Sequence, residues 1–300
     1  MKKKVKIKVT RSSLKFVQGL TAIHYSVKRI FEPRRLYKHI NNISYSNNKR
    51  CVFDLYYTNK EKRNILLINI HGGFYVGSSR KDNFMLAHYF LRKGIDVALV
   101  EYRLNNKTIE TKDELQDVND CISYIYNHLK ELNLQYDSIY LMGDSAGGHF
   151  ALMNALALNC QTPLLKNDYK VSGVILSCPA YNYQDYHSYD ELSNGVKRWV
   201  LGKNYKDPQY LKTLSSKTYI EYLNLPIFIS TSKTDFLRHD SLDLIADLDK
   251  YNINYTFIDI NSNNPLAGHV HNVMHPWLKE SIKVNKAIYD FMIKNIKVEN

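Results

Sequence analysis

Gly143-Asp144-Ser145-Ala146-Gly147 reads G-x-S-x-G, a spacing that can present a serine hydroxyl as a nucleophile. An apolar strand candidate, Ser138–Met142, leads into it, and an Ala/Leu-rich helix candidate, Gly147–Leu158, leads out. The sharp turn between them holds the serine in a strained conformation, so its neighbours must be small, as Gly143, Ala146 and Gly147 are. Ser145 then sits at a helix N-terminus, where the dipole and open N–H groups favour the negative charge that develops on an attacked carbonyl. The match alone also fits a glycine-rich turn with an incidental serine. Its partners decide.

A serine nucleophile needs a base, and the base needs an orienting acid. Asp235, in Thr234-Asp235-Phe236-Leu237, follows the strand candidate Ile227–Ser230. His269, in Ala267-Gly268-His269-Val270, follows Tyr255–Ile260. The chain order Ser, Asp, His and the placement past strand ends both suit acyl transfer. His239 and Asp240 compete for the acid region, but they stand at the start of a helix candidate over Ser241–Lys250, with Asp240 as its N-cap. A donor loop completes the set: His71-Gly72-Gly73-Phe74 follows the apolar run Ile65–Ile70. Glycines let backbone N–H groups approach a substrate oxygen, so the N–H groups of Gly73 and a neighbour, with that of Ala146, are the candidate oxyanion donors, and His71 shapes the loop. His269, His271 and His275 also form a local cluster, but no carboxylate or cysteine accompanies them at ligand spacing, so no metal is assigned. His271 and His275 read as structural or cap-facing.

These residues need a scaffold, and the pattern supplies one. The runs Ile65–Ile70, Val97–Val100, Ser138–Met142, Val171–Ser177, Ile227–Ser230 and Tyr255–Ile260 alternate with helical periods over Asn83–Lys93, Asp113–Leu132, Gly147–Leu158, Ser241–Lys250 and Leu278–Lys294. Strands alternating with helices predict an α/β fold with a mostly parallel central sheet flanked by helices. Residues 181–222 break the rhythm and read as an insertion near the strands' carboxyl ends, where ligands bind. Their aromatic residues (Tyr181, Tyr183, Tyr186, Trp199, Tyr205) are candidates for pocket walls. With no Pro/Gly/Ser-rich linker, residues 1–300 are expected to be one domain.

Charge is concentrated at one end. Residues 1–40 carry twelve Lys/Arg against Glu32 alone, whereas the rest carries 29 basic and 28 acidic side chains. Residues 1–45 therefore read as a basic arm whose apolar positions between Ser12 and Phe31 recur at helical spacing, a candidate cap helix ended near Pro33. Such an arm packs on the body or makes weak contact with an anionic surface; no nucleic-acid partner is expected, and the oligomeric state is left open. No long apolar run follows the basic start, and none approaches the ~18 residues that span a bilayer. Cys51, Cys121, Cys160 and Cys178 lie far apart, as free thiols of a cytoplasmic protein would.

His71–Phe74 (HGGF), Glu101–Leu104 (EYRL), Gly143–Gly148 (GDSAGG), Thr234–Leu237 (TDFL) and Gly268–Val270 (GHV) together resemble the hormone-sensitive-lipase-like branch of the α/β-hydrolases, which includes bacterial acetyl esterases and carboxylesterases. The similarity covers roughly residues 65–295. It implies an α/β-hydrolase fold with a helical cap, no cofactor, and a serine esterase acting on a small-molecule ester, with short acyl chains favoured. The resemblance carries the nucleophile to Ser145, the acid to Asp235, the base to His269 and the oxyanion loop to Gly72, Gly73 and Phe74. Two departures stand out. Phe74 replaces a usual third glycine, and Asn105-Asn106-Lys107 replaces the usual Ala-Pro-Glu. An amide-bond hydrolase, arylformamidase-like or a peptidase, would use the same three residues, and a catalytically silent ligand-binding relative is a third reading.

Overall fold

The computed structural model describes residues 36–296 except 107, 132–133, 161, 163, 166, 184–197 and 199–200. Each short apolar run becomes a strand, because a strand covered on both faces needs a nearly continuous apolar sequence. Among the described residues there are eight: β1 (Tyr37–Ser44), β2 (Val52–Thr58), β3 (Ile65–Ile70), β4 (Asp96–Val100), β5 (Ser138–Asp144), β6 (Gly173–Ser177), β7 (Ile227–Ser232) and β8 (Tyr255–Ile260). They form one sheet in the order β1-β2-β4-β3-β5-β6-β7-β8. The edge pairs β1/β2 and β2/β4 are antiparallel, and the pairs from β4 through β8 are parallel.

Seven helices flank the sheet among the described residues: α1 (Phe84–Leu91), α2 (Thr111–Asn127), α3 (Ala146–Leu156), α4 (Pro208–Leu214), α5 (Arg238–Lys250), α6 (His271–Met274) and α7 (Lys279–Lys294). Successive strand residues face opposite sides, so the sheet feeds two cores. Leu66, Ile68 and Ile70 pack with Val118 and Ile122 of α2, Phe150 of α3 and Leu244 of α5. Ile65 and Leu67 pack on the other side with Phe90 of α1 and Val284 and Ile288 of α7. Fully burying one such side chain contributes about 1.5–3 kcal/mol, so this double layer is what holds the strand ends in place.

Three boundaries depart from the sequence reading. Residues 37–44, expected in the arm and cap helix, form β1; its side chains are mostly exposed, and the pairing of Tyr37 with Thr58 supplies the order that burial does not. The expected arm helix itself lies outside the described residues. Helix α2 ends at Asn127 rather than 132, where the backbone N–H and ring Nδ1–H of His128 both donate to the Tyr124 carbonyl at 3.0 and 2.8 Å. Helix α5 starts at Arg238, so Asp240 is not its N-cap; its buried carboxylate accepts the Tyr181 N–H at 2.9 Å.

Of the insertion at 181–222, α4 and a 3-10 turn over Ser216–Tyr222 are described, and Tyr186 and Trp199 lie outside the described residues. Asp207 caps α4 by accepting the Gln209 N–H at 2.9 Å, with Pro208 in the first turn. Among the described residues no helix is long and apolar enough to cross a membrane. All four cysteines are free thiols.

Candidate active site

Ser145 stands between β5 and α3 with φ 52 and ψ −119, a backbone conformation that L-residues other than glycine rarely adopt. Three hydrogen bonds hold it there. Its N–H donates to Ser177 O at 3.0 Å, and its carbonyl accepts the Ala180 and His149 N–H groups at 3.1 and 3.3 Å. Parallel pairing of β5 with β6 thus sets the height of the turn above the sheet. At the helix start, the Ala146 N–H has no acceptor among the described residues.

The sheet brings Asp235 and His269 to the same end. His269 Nε2 lies 3.0 Å from Ser145 Oγ, and His269 Nδ1 lies 2.6 Å from Asp235 Oδ1. Asp235 also accepts the Leu237 N–H at 2.9 Å and the Thr231 hydroxyl at 2.7 Å. Burial works to raise the pKa of this carboxylate, but the hydrogen bond and charge of His269, with Thr231 and Leu237, hold it at about 2. Asp235 is therefore ionised at any neutral pH. That fixes the proton on His269 Nδ1 and turns the Nε2 lone pair toward Ser145 Oγ. His271 is elsewhere: it is buried against α7, donating Nδ1–H to Ser281 Oγ at 2.9 Å while the Ser281 hydroxyl donates to His271 O. Burial lowers its value to about 4 and keeps it neutral.

The glycine loop closes the site from β3. A methyl on Gly72 would lie 3.0 Å from Ser145 Cβ, so the loop abuts the nucleophile. The Gly72 N–H is not an oxyanion donor, however: it donates to Asp144 Oδ2 at 3.0 Å. Asn83 Nδ2 donates to the other oxygen at 2.7 Å, so the buried Asp144 carboxylate holds the loop to the turn. This leaves Gly73, Phe74 and Ala146 of the expected set, and the Phe74 N–H has no acceptor among the described residues. His71 shapes the loop, as its position suggested. Its Nδ1–H donates to Gly72 O at 2.7 Å, and the Tyr102 hydroxyl donates to its carbonyl at 2.6 Å with the two rings stacked. Glu101, gripped by Arg50 and Arg80, lies 3.3 Å from its Nε2. Gly73 has φ 122, and an added methyl would collide with Gly77 O and come within 2.7 Å of Ser78 Cβ. Gly73→Ala is expected to lose about 1–3 kcal/mol of unfolding free energy in urea titration. An unchanged midpoint would show that the loop relaxes freely.

Some residues at the site carried no signal in the sequence. Cys178, read in the sequence only as one of four free thiols, has its Sγ within 4.8 Å of Asp235 and His269 donor atoms. It accepts the N–H of Val270, the residue after His269, at 3.2 Å. Thr231 and Asp144 are polar residues inside strands. Such residues usually need a partner, which is the one cue that could have marked them.

A mostly parallel sheet with a strained serine turn after its fifth strand, a glycine loop after the third, and an acid and a histidine past later strands defines an α/β-hydrolase. The BD-FAE family model matches residues 53–240, more than half of the chain, and the chain belongs to that family. A protein of Arabidopsis thaliana named "probable isoprenylcysteine alpha-carbonyl methylesterase" is 31% identical over 111 residues, 37% of this chain and 23% of that one. Such alignments span about a quarter to a half of the length of the curated relatives matched. Esterase B from Lactobacillus rhamnosis, crystallised with a tributyrin phosphonate inhibitor, superposes at TM-score 0.80 with 21% identity, covering 94% of both chains. The hyperthermophilic esterase from the archaeon Pyrobaculum calidifontis superposes at 0.74 with 18% identity, covering 98% of this chain and 95% of that one. At these identities the likeness is one of fold.

Proposed function

We propose that this chain hydrolyses short-chain carboxylic esters through Ser145, His269 and Asp235. The observation that carries the reading is the continuous line from Asp235 Oδ1 to His269 Nδ1 at 2.6 Å and from His269 Nε2 to Ser145 Oγ at 3.0 Å. Ser145 Oγ attacks the ester carbonyl as its proton passes to His269 Nε2. The imidazolium that forms is held against the Asp235 carboxylate. The oxyanion falls between the N–H groups of Ala146 and of the loop after Gly72, at the positive end of α3. Collapse breaks the ester C–O bond as His269 returns the proton to the leaving alcohol. Water, deprotonated by His269, then attacks the acyl-enzyme, and Ser145 leaves with that proton. Each proton passes between Ser145, His269, the leaving alcohol and water, and Asp235 takes none.

Short acyl chains follow from the resemblance to acetyl esterases, and esterase B, a fold relative, is inhibited by a tributyrin phosphonate. On p-nitrophenyl esters from acetyl to dodecanoyl, kcat/KM is expected to peak at the acetyl or butyryl ester and to fall by about tenfold or more at the longest chain. A peak at the decanoyl or dodecanoyl ester would sink the short-chain assignment. Absence of turnover on the whole series would sink ester hydrolysis.

A further inference from the structure

Phe236 is adjacent to the acid, yet the proposed chemistry gives it no task. Asp235 is buried, whereas Phe236 is 51% exposed. Its ring lies against the His269 imidazole, with centroids 4.1 Å apart and planes tilted by 38°. It also lies nearly parallel to Phe74 of the glycine loop, 5.7 Å away with planes 7° apart. Phe74 has φ 53, a left-handed conformation unfavourable for a bulky residue. One phenylalanine is half in water and the other is strained. Phe74 is partly buried against the core, whereas core packing does not account for Phe236, whose ring stacks on Phe74 and lies on the base. The column runs Phe74, Phe236, His269, and so ties the loop after β3 to the base after β8.

We propose that Phe236 is a positioning residue for the base: braced by Phe74, its ring fixes the plane of the His269 imidazole and favours the imidazolium formed during acyl transfer. This rests on the serine-hydrolase reading of Ser145. Two effects of the ring oppose each other. A π-face within ~6 Å attracts a cation, whereas a covering hydrocarbon disfavours charge by excluding water. With half of Phe236 open to solvent, exclusion is incomplete and the attraction wins. The other groups facing His269 are the Asp235 carboxylate, the Ser145 hydroxyl, the Cys178 thiol and, further off, the buried Asp144 carboxylate. A change at Phe236 leaves all of them in place.

The test is an NMR pH titration of the His269 ring, its signal assigned by disappearance in His269→Ala, in wild type, Phe236→Leu and Phe236→Tyr. Kinetics on p-nitrophenyl acetate run alongside. The leucine variant is expected to titrate about 0.5 pH units lower, the shift a partly exposed cation–π contact supplies. Its kcat should fall about three- to tenfold with KM within about twofold, and tyrosine should retain both properties. A leucine midpoint unchanged or raised, an unaltered kcat, or tyrosine behaving like leucine would overturn the proposal. Should Phe236→Leu fail to fold, Phe236→Met gives the same aliphatic comparison. The titration needs no turnover. An enzyme inactive on esters would sink the ester reading while the midpoints still decide Phe236, and an active enzyme with unmoved midpoints would sink Phe236 alone.

Discussion

Ser145→Ala is expected to lower kcat on p-nitrophenyl acetate by about 10⁴-fold or more, with KM near the wild-type value. The substitution removes the atom that forms the acyl bond and leaves the donors of Ala146 and the glycine loop in place. What persists is water attack aided by those donors, a residual that in serine hydrolases amounts to about 10³–10⁴ over the uncatalysed reaction. Folding should be unaffected. The strained turn is held by backbone bonds to Ser177, Ala180 and His149, and among the described residues the hydroxyl's one partner is His269. A thermal midpoint close to wild type would mark the loss as chemical. His269→Ala should cost about as much, and the double variant little more, because the two act as one unit. His271→Ala offers the contrast: at the start of α6 and locked to Ser281 of α7, it should change stability rather than rate. Undiminished hydrolysis by Ser145→Ala would place the nucleophile elsewhere.

The legible part of the sequence was the part in which one residue type has one physical use. Parallel strands buried on both faces are nearly continuous apolar runs, so β3 to β7 stand out with ends correct to within about two residues, and the partly exposed β8 is still marked by its apolar positions. A strained turn needs small neighbours, which made Ser145 visible. Illegible were features that depend on who the partner is. β1 exposes most of its side chains and is ordered by pairing with β2, so no periodicity announces it. Gly72 looks like a donor in sequence, and only the approach of the Asp144 carboxylate shows its N–H to be occupied. Cys178 and Phe236 reach His269 from β6 and from the loop after β7, separations that no local motif spans.

Asp235→Ala is the second large effect, an expected fall in kcat/KM of about 10³–10⁴-fold. His269 Nδ1–H loses its acceptor, the ring can turn or change tautomer, and the imidazolium loses its counter-charge. Asp235→Asn separates these losses, because the hydrogen-bond geometry dictates how the amide sits. Oδ1 accepts from both His269 and Leu237, whose N–H cannot reverse, whereas Oδ2 meets the Thr231 hydroxyl, which can. The amide oxygen should take the first position and the NH₂ the second, preserving the tautomer and removing only the charge. A charged hydrogen bond contributes about 1.5–3 kcal/mol, so the asparagine variant should lose only about 10–10²-fold. The same charge sets a pH signature. Asp235 is held at about 2, below its ordinary 3.8, so its stabilising effect is complete above about pH 4 and is lost as pH falls through about 2. That difference corresponds to about 2 kcal/mol. Urea unfolding of wild type and Asp235→Asn should therefore show a stability gap above pH 4 that narrows toward pH 2. A gap constant over that range would mean the carboxylate is not held down by His269, Thr231 and Leu237, and equal activity losses in the alanine and asparagine variants would mean that its charge, not its geometry, is what the base requires.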